Sequence, residues 1–213
     1  MADSTQGLRL FSPPDLNNNG TLVFVARADN SGIDGIFTKA VGGPTQTIAL
    51  TNAIPFTDFG GGFPSINASG TVGFQGNNAT SPTQGIYTGT GAAAPVLVVG
   101  NETGSPFAEF GGSCVVAIND AGTVAFFARR STGPDGGGGI FTRNGDGTGP
   151  ITFVADGASG EFLTVSRNFD INAGGSVAYL LWNAQADVRC RRARDHAGST
   201  RVDHPHGAAL PRQ

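Results

Sequence analysis

Apolar residues in this chain come in short runs parted by Gly, Asn, Ser and Thr, and inside the runs they alternate with small or polar residues. Val72 and Phe74 fall on one side of such a run, as do Val124 and Phe126, and Val177 and Tyr179. That is the period of a half-buried strand, and helical periodicity is absent throughout.

The runs also repeat. Leu16-Asn-Asn-Asn-Gly20-Thr-Leu-Val-Phe24 returns as Ile66-Asn-Ala-Ser-Gly70-Thr-Val-Gly-Phe74, as Ile118-Asn-Asp-Ala-Gly122-Thr-Val-Ala-Phe126 and as Ile171-Asn-Ala-Gly-Gly175-Ser-Val-Ala-Tyr179, at offsets of 50, 52 and 53 residues. Gly35-Ile-Phe37, Gly85-Ile-Tyr87 and Gly139-Ile-Phe141 follow the first three copies, and a further apolar run comes at 47–50, 96–99 and 151–155. Three elements recurring in one order at one spacing mark a structural repeat.

Each element has a physical reading. The side chains of Asn17, Asn67, Asn119 and Asn172 can bond the backbone two residues on, and Gly20, Gly70, Gly122 and Gly175 can take the positive φ that closes a short hairpin loop. In the third copy this predicts strands near 113–118, 123–129, 138–143 and 150–155. Four antiparallel strands in one such repeat have the size of a propeller blade. The expected fold is all-β and propeller-like, a partial propeller of about 3.5 blades, with a β-sandwich as the alternative. The domain runs over 1–185, in units of about 11–62, 63–112, 113–166 and a partial 167–185. Val72, Phe74, Ile86, Val124, Phe126 and Ile140 are expected in the core. An incomplete ring leaves an apolar blade face at each end and an unpaired strand edge, so a homo-dimer through the open blades is expected.

The pairing of Ile-Asn-x-x-Gly-x-Val-Ala-Phe with Gly-Ile-Phe resembles a group of bacterial tandem-repeat proteins, mostly uncharacterised and often exported, and more loosely the extracellular HAF repeats. The resemblance covers roughly residues 11–182 and rests on turn and core positions. It implies a fold and an extracellular or cell-surface location, and carries over no catalytic residue.

Composition narrows the function. Residues 1–185 hold 7 basic and 13 acidic side chains, and an acidic body argues against nucleic-acid binding, which needs a basic face. The start, Met1–Gly7, has neither a basic nor an apolar stretch, so no signal peptide is expected, and no apolar run is long enough to span a membrane. Cys114 and Cys190 lie in regions of different character; Cys114 reads as a small buried residue, and no disulfide between them is expected.

After Trp182 the pattern breaks. Residues 186–213 carry 6 Arg, 3 Asp and all three histidines, with apolar residues too scattered to form the missing strands. Three readings compete: a basic interaction arm, a His tract at His196, His204 and His206, and non-native sequence of the kind an out-of-frame GC-rich gene encodes. On each reading 189–213 is expected to be disordered or loosely packed.

Candidate chemistry is sparse. Asp58-Phe59, Glu109-Phe110 and Glu161-Phe162 set an acid beside an aromatic once per repeat, with Phe56 and Phe107 two residues before the first two acids. On connectors at one rim they would offer carboxylates and aromatic faces to a sugar or a cation; the competing reading has each Phe plugging a seam and each acid capping a turn. Asn144-Gly-Asp146-Gly-Thr148 spaces oxygens as calcium loops do but lacks their closing Glu, and reads as a hairpin turn. The first histidine is His196, so the body holds no Ser-His-Asp or Cys-His machinery and no His-based metal site. No cofactor motif is present. The function expected is a non-catalytic repeat scaffold binding a carbohydrate or a protein surface, with a carbohydrate-active propeller using rim carboxylates as the alternative.

Overall fold

The computed structural model describes residues 8–10, 12–28, 31–53, 55–59, 62–111, 115–132, 137–156, 164–182 and 188–193. Among them there is no helix. The first sheet holds β1 (Leu8–Leu10), β2 (Asp15–Leu16), β3 (Thr21–Ala28), β4 (Asp34–Ala40) and β5 (Thr45–Leu50). The second holds β6 (Phe56–Asp58), β7 (Ser65–Ile66), β8 (Val72–Asn78), β9 (Gln84–Gly89) and β10 (Val96–Gly100). The third holds β11 (Phe107–Glu109), β12 (Ala117–Ile118), β13 (Thr123–Arg130), β14 (Gly138–Asn144) and β15 (Thr152–Asp156), and the fourth β16 (Thr164–Ile171), β17 (Val177–Trp182) and β18 (Val188–Ala193).

Every pairing inside a sheet is antiparallel. In the first three sheets the first strand is split: both halves, such as β11 and β12, pair with the same neighbour, and the chain then runs outward strand by strand. The four sheets stack in sequence as propeller blades, with β2, β7, β12 and β16 side by side along the inside of the arc. The loops behave as their residues predict. Gly20, Gly70, Gly122 and Gly175 have φ of 76, 85, 82 and 76°, and each donates its N–H to the carbonyl of the loop asparagine at 2.9–3.0 Å.

The core lies in the seams between sheets. Val23, Val25, Ile36 and Ile48 of the first sheet pack on Phe56, Phe59, Phe74 and Tyr87 of the second. Ile86, Val98 and Val99 then meet Phe107, Phe110, Phe126 and Phe141, and Ala125, Phe127, Ile140 and Ala155 meet Val165, Phe169, Val177 and Tyr179. In the first two seams a bulky aromatic face therefore looks back to the preceding sheet and a face of smaller side chains looks forward to the next; in the third, Phe127 joins the forward face. Val72, Phe74, Ile86, Val124, Phe126 and Ile140 are all buried, as expected. The strands that carry them are not half-buried, however. Phe126 points into one seam and Phe127 into the other, because a stacked blade is covered on both faces.

Three further expectations change. Phe56–Asp58 and Phe107–Glu109 are the opening strands of the second and third sheets rather than connectors, so the sheets begin before the unit boundaries at 63 and 113. The strand missing after Trp182 is present: β18 pairs with β17 from Val177↔Ala193 to Trp182↔Val188, and six backbone partners fix it there despite its arginines. At the front of the arc the expected apolar face is partly closed over within its own sheet: Phe24, Ala26 and Phe37 are buried in a cluster with Leu8, Leu22 and Leu50. Cys114, residues 194–213 with His196, His204 and His206, and the side chain of Cys190 lie outside the described residues.

Candidate functional site

The inner strands are joined by a ladder of asparagines. Asn17 Nδ2 donates to the Asn67 carbonyl at 3.0 Å, Asn67 Nδ2 to the Asn119 carbonyl at 3.2 Å, and Asn119 Nδ2 to the Asn172 carbonyl at 3.0 Å. The other end of each amide serves its own loop: Oδ1 accepts from the backbone N–H four residues on, at 2.8–2.9 Å. One side chain thus closes a hairpin and fastens a seam. Asp15 adds a second link, accepting from Leu16 N–H at 2.8 Å through Oδ1 and from Ile66 N–H of the next sheet at 3.0 Å through Oδ2.

These links hold the inner strands around a cleft on the axis of the arc. Its polar end, about 180 Å³, is lined by Asp15, Ser65, Asn67, Asn119, Asp120 and Asp170. Its wider end, about 360 Å³, has apolar walls from Pro13, Pro14, Phe63, Pro64, Val115 and Phe169, with Asp15, Ser65, Asn168 and Asp170 between them. The size and the mix of apolar wall with few polar groups suit a small ligand. Among the described lining residues there is no Arg, Lys or His, and their carboxylates make the cleft unfavourable to anions. Among the described residues no group of three His, Cys, Asp or Glu is placed to hold a metal ion.

The acid–aromatic pairs lie elsewhere. A register slip after Phe56 sets it opposite Asn78 and Asp58 opposite Asn77, and the same slip sets Phe107 opposite Arg130 and Glu109 opposite Arg129. The extra residue turns each acid outward and the following Phe inward. Phe59 is 4% exposed and packs on Phe56 and Phe74; Phe110 is 1% exposed and packs on Phe107 and Phe126. Their rings plug seams and offer no face to a ligand. Asp58 accepts from Asn77 Nδ2 at 2.7 Å, and Glu109 pairs with Arg129 at 3.1 Å, both at the surface. Glu161 and Phe162 lie outside the described residues. Asp146 accepts from the N–H and hydroxyl of Thr148, which hold its carboxyl below the usual range, and Gly147 beside it has φ 75°. This loop is a turn whose carboxylate is already engaged.

The axial acids escaped sequence reading because the repeat does not mark them. The position two before the ladder asparagine is Asp15, Ser65, Ala117 and Asp170 in turn. An acid at both ends of that series was the available signal.

Among solved structures, the crystal structure of a GH74 enzyme from Niastella koreensis superimposes with a TM-score of 0.50 at 15% identity, covering 87% of this chain and 28% of the enzyme. A GH32 β-fructofuranosidase of Bombyx mori, a mutant in complex with sucrose, matches at 8% identity and a TM-score of 0.36, over 87% of this chain and 45% of that one. The first of these likenesses speaks for the fold alone, and the second carries no argument. No curated protein matches the chain. The sequence model of DUF7453, a family of unknown function, matches residues 1–193 and so takes in the Arg-rich strand β18; the chain belongs to that family.

Proposed function

We propose that this chain is a non-catalytic binding scaffold of the cell exterior whose ligand seats in the axial cleft. One observation supports the site above all: inner strands of all four sheets line two neighbouring concavities that share Asp15, Ser65 and Asp170, with carboxylates and no Arg, Lys or His among the described lining residues. The ligand that suits it is a neutral, hydroxyl-rich group such as a glycan unit or a polar protein loop. Nucleic acid and acidic glycans are disfavoured by Asp15, Asp120 and Asp170. The exterior location rests on the resemblance of the repeat to exported proteins. A glycan array followed by calorimetry tests the reading. Binding without turnover is expected, lost in Ser65→Phe, which fills the cleft, and kept in Glu109→Ala. Binding that survives Ser65→Phe but fails in Glu109→Ala would move the site to the rim.

A carbohydrate-active role keeps one support, the placement of Asp15 and Asp170 on the same cavity. The rim acids Asp58 and Glu109 serve it poorly, since Asn77 and Arg129 already engage them. Release of reducing ends, abolished by Asp170→Asn, would establish that role.

A further inference from the structure

The arc ends with its fastenings unused. In the first three sheets the ladder amide is held by the sheet that follows, and Asn17, Asn67 and Asn119 are 8, 4 and 5% exposed. Asn172 occupies the same place in the fourth sheet, keeps the same loop bonds through Oδ1, and is exposed, and its Nδ2 has no partner among the described residues. Asp170 repeats Asp15: its Oδ1 accepts from Ile171 N–H at 2.8 Å, as Asp15 Oδ1 does from Leu16 N–H. Asp15 Oδ2 reaches Ile66 N–H of the second sheet, whereas Asp170 Oδ2 has no partner among the described residues. The fourth sheet thus presents an acceptor and a donor spaced as the pair that grips Ile66 and Asn67.

The front of the arc carries the other half. Ile66, Ile118 and Ile171 are 5, 7 and 7% exposed because the preceding sheet covers them. Leu16 holds that position in the first sheet and is 58% exposed. The Asn17 carbonyl accepts from Gly20 N–H as Asn67 does, but has no ladder amide on its second lone pair. Among the described residues no core cluster joins the fourth sheet to the first.

We propose that the inner strand of a second copy of this chain docks at each end of the arc, the Asn172 amide of one copy donating to the Asn17 carbonyl of the other and its fourth sheet covering Leu16. One chain carries both halves of the contact, so a twofold on the axis about which the blades are arranged satisfies both ends with two identical seams. Two arcs of four sheets make eight, within the range of about four to eight blades in which propellers close. The second copy also walls the open side of the axial cleft, so the ligand site is shared between protomers. This inference does not depend on which ligand the cleft takes.

Sedimentation velocity of the full chain across micromolar concentrations reads the outcome. The expected species has twice the 21.6 kDa chain mass. Asn172→Asp keeps the loop acceptor and removes the donor, Asn172→Ala removes the donor without adding charge, and Leu16→Asn changes a side chain exposed in the monomer. Each is expected to weaken association about tenfold or more while leaving the circular dichroism of the sheets unchanged. Val96→Ser, at an exposed site on β10 of the second sheet, is expected to change nothing. A monomer at all concentrations, growth beyond two copies, or a dimer indifferent to all three end variants would overturn the proposal.

Discussion

Inside the second hairpin loop, Asn67 Oδ1 accepts from the Thr71 N–H and the Ser69 hydroxyl, while Nδ2 crosses to the third sheet. Truncation at this buried site leaves the loop N–H and the neighbouring carbonyl each short of a bond. Asn67→Ala is therefore expected to lower unfolding free energy by about 3 kcal/mol in urea titration. Within a single chain Asn172→Ala removes loop bonds alone, at an exposed site, and is expected to cost the dilute monomer about 1 kcal/mol. The loop half of this role was legible in Ile-Asn-x-x-Gly because an Asx turn is local chemistry. The seam half was not, since nothing in one repeat says which carbonyl its neighbour will bring within reach. Tyr87 carries a second residue-scale test. Burial pushes its phenol above the ordinary value of 10.0, and the hydrogen bond from Asn78 Nδ2 at 2.6 Å only partly opposes that. The folded state favours the neutral phenol, so this stability is complete below the unfolded value and is lost as pH rises through the raised folded one. Stability measured toward alkaline pH should fall more steeply in the native chain than in Tyr87→Phe.

At the scale of strands, one extra residue decides what the acid–aromatic pairs do. Simple alternation would put Phe56 and Asp58 on one face, and a rim of acids and rings follows from that. The slip between their partners, Asn78 and Asn77, sends Asp58 out and Phe59 into the seam. Sequence shows the repeat of the pair but not the bulge, which is set by how β6 meets β8. Phe59→Ala and Phe110→Ala are each expected to lose about 3–5 kcal/mol, as buried aromatic truncations do. Glu109→Ala breaks only a surface ion pair, and a change of at most about 1 kcal/mol is expected. Strand β18 teaches a related point. Its composition is unlike any other strand here, yet its place opposite β17 is fixed by backbone pairing, to which composition is a weak guide. Removing residues 188–213 is expected to lower Tm by several degrees through exposure of β17, and removing 194–213 to leave it unchanged.

The whole molecule is a line of blades coupled to nearest neighbours, and each coupling has a direction. Every ladder bond runs from an amide earlier in the chain to a carbonyl later in it, 17 to 67, 67 to 119 and 119 to 172. The first two seams likewise have their smaller face on the earlier sheet and their aromatic face on the later one. During synthesis, the part of a seam that emerges first is therefore the receiving half. A finished blade stands with its amide waiting, and the blade leaving the ribosome next brings the carbonyl and the rings that close on it. Assembly is vectorial: order of translation and order of docking coincide, and no blade waits for one two places away. Ribosome-bound chains arrested late enough for residue 100 to have cleared the exit tunnel should already resist protease across the first seam, while a chain begun at residue 56 should dock its own blades with the aromatic face of its first sheet left bare.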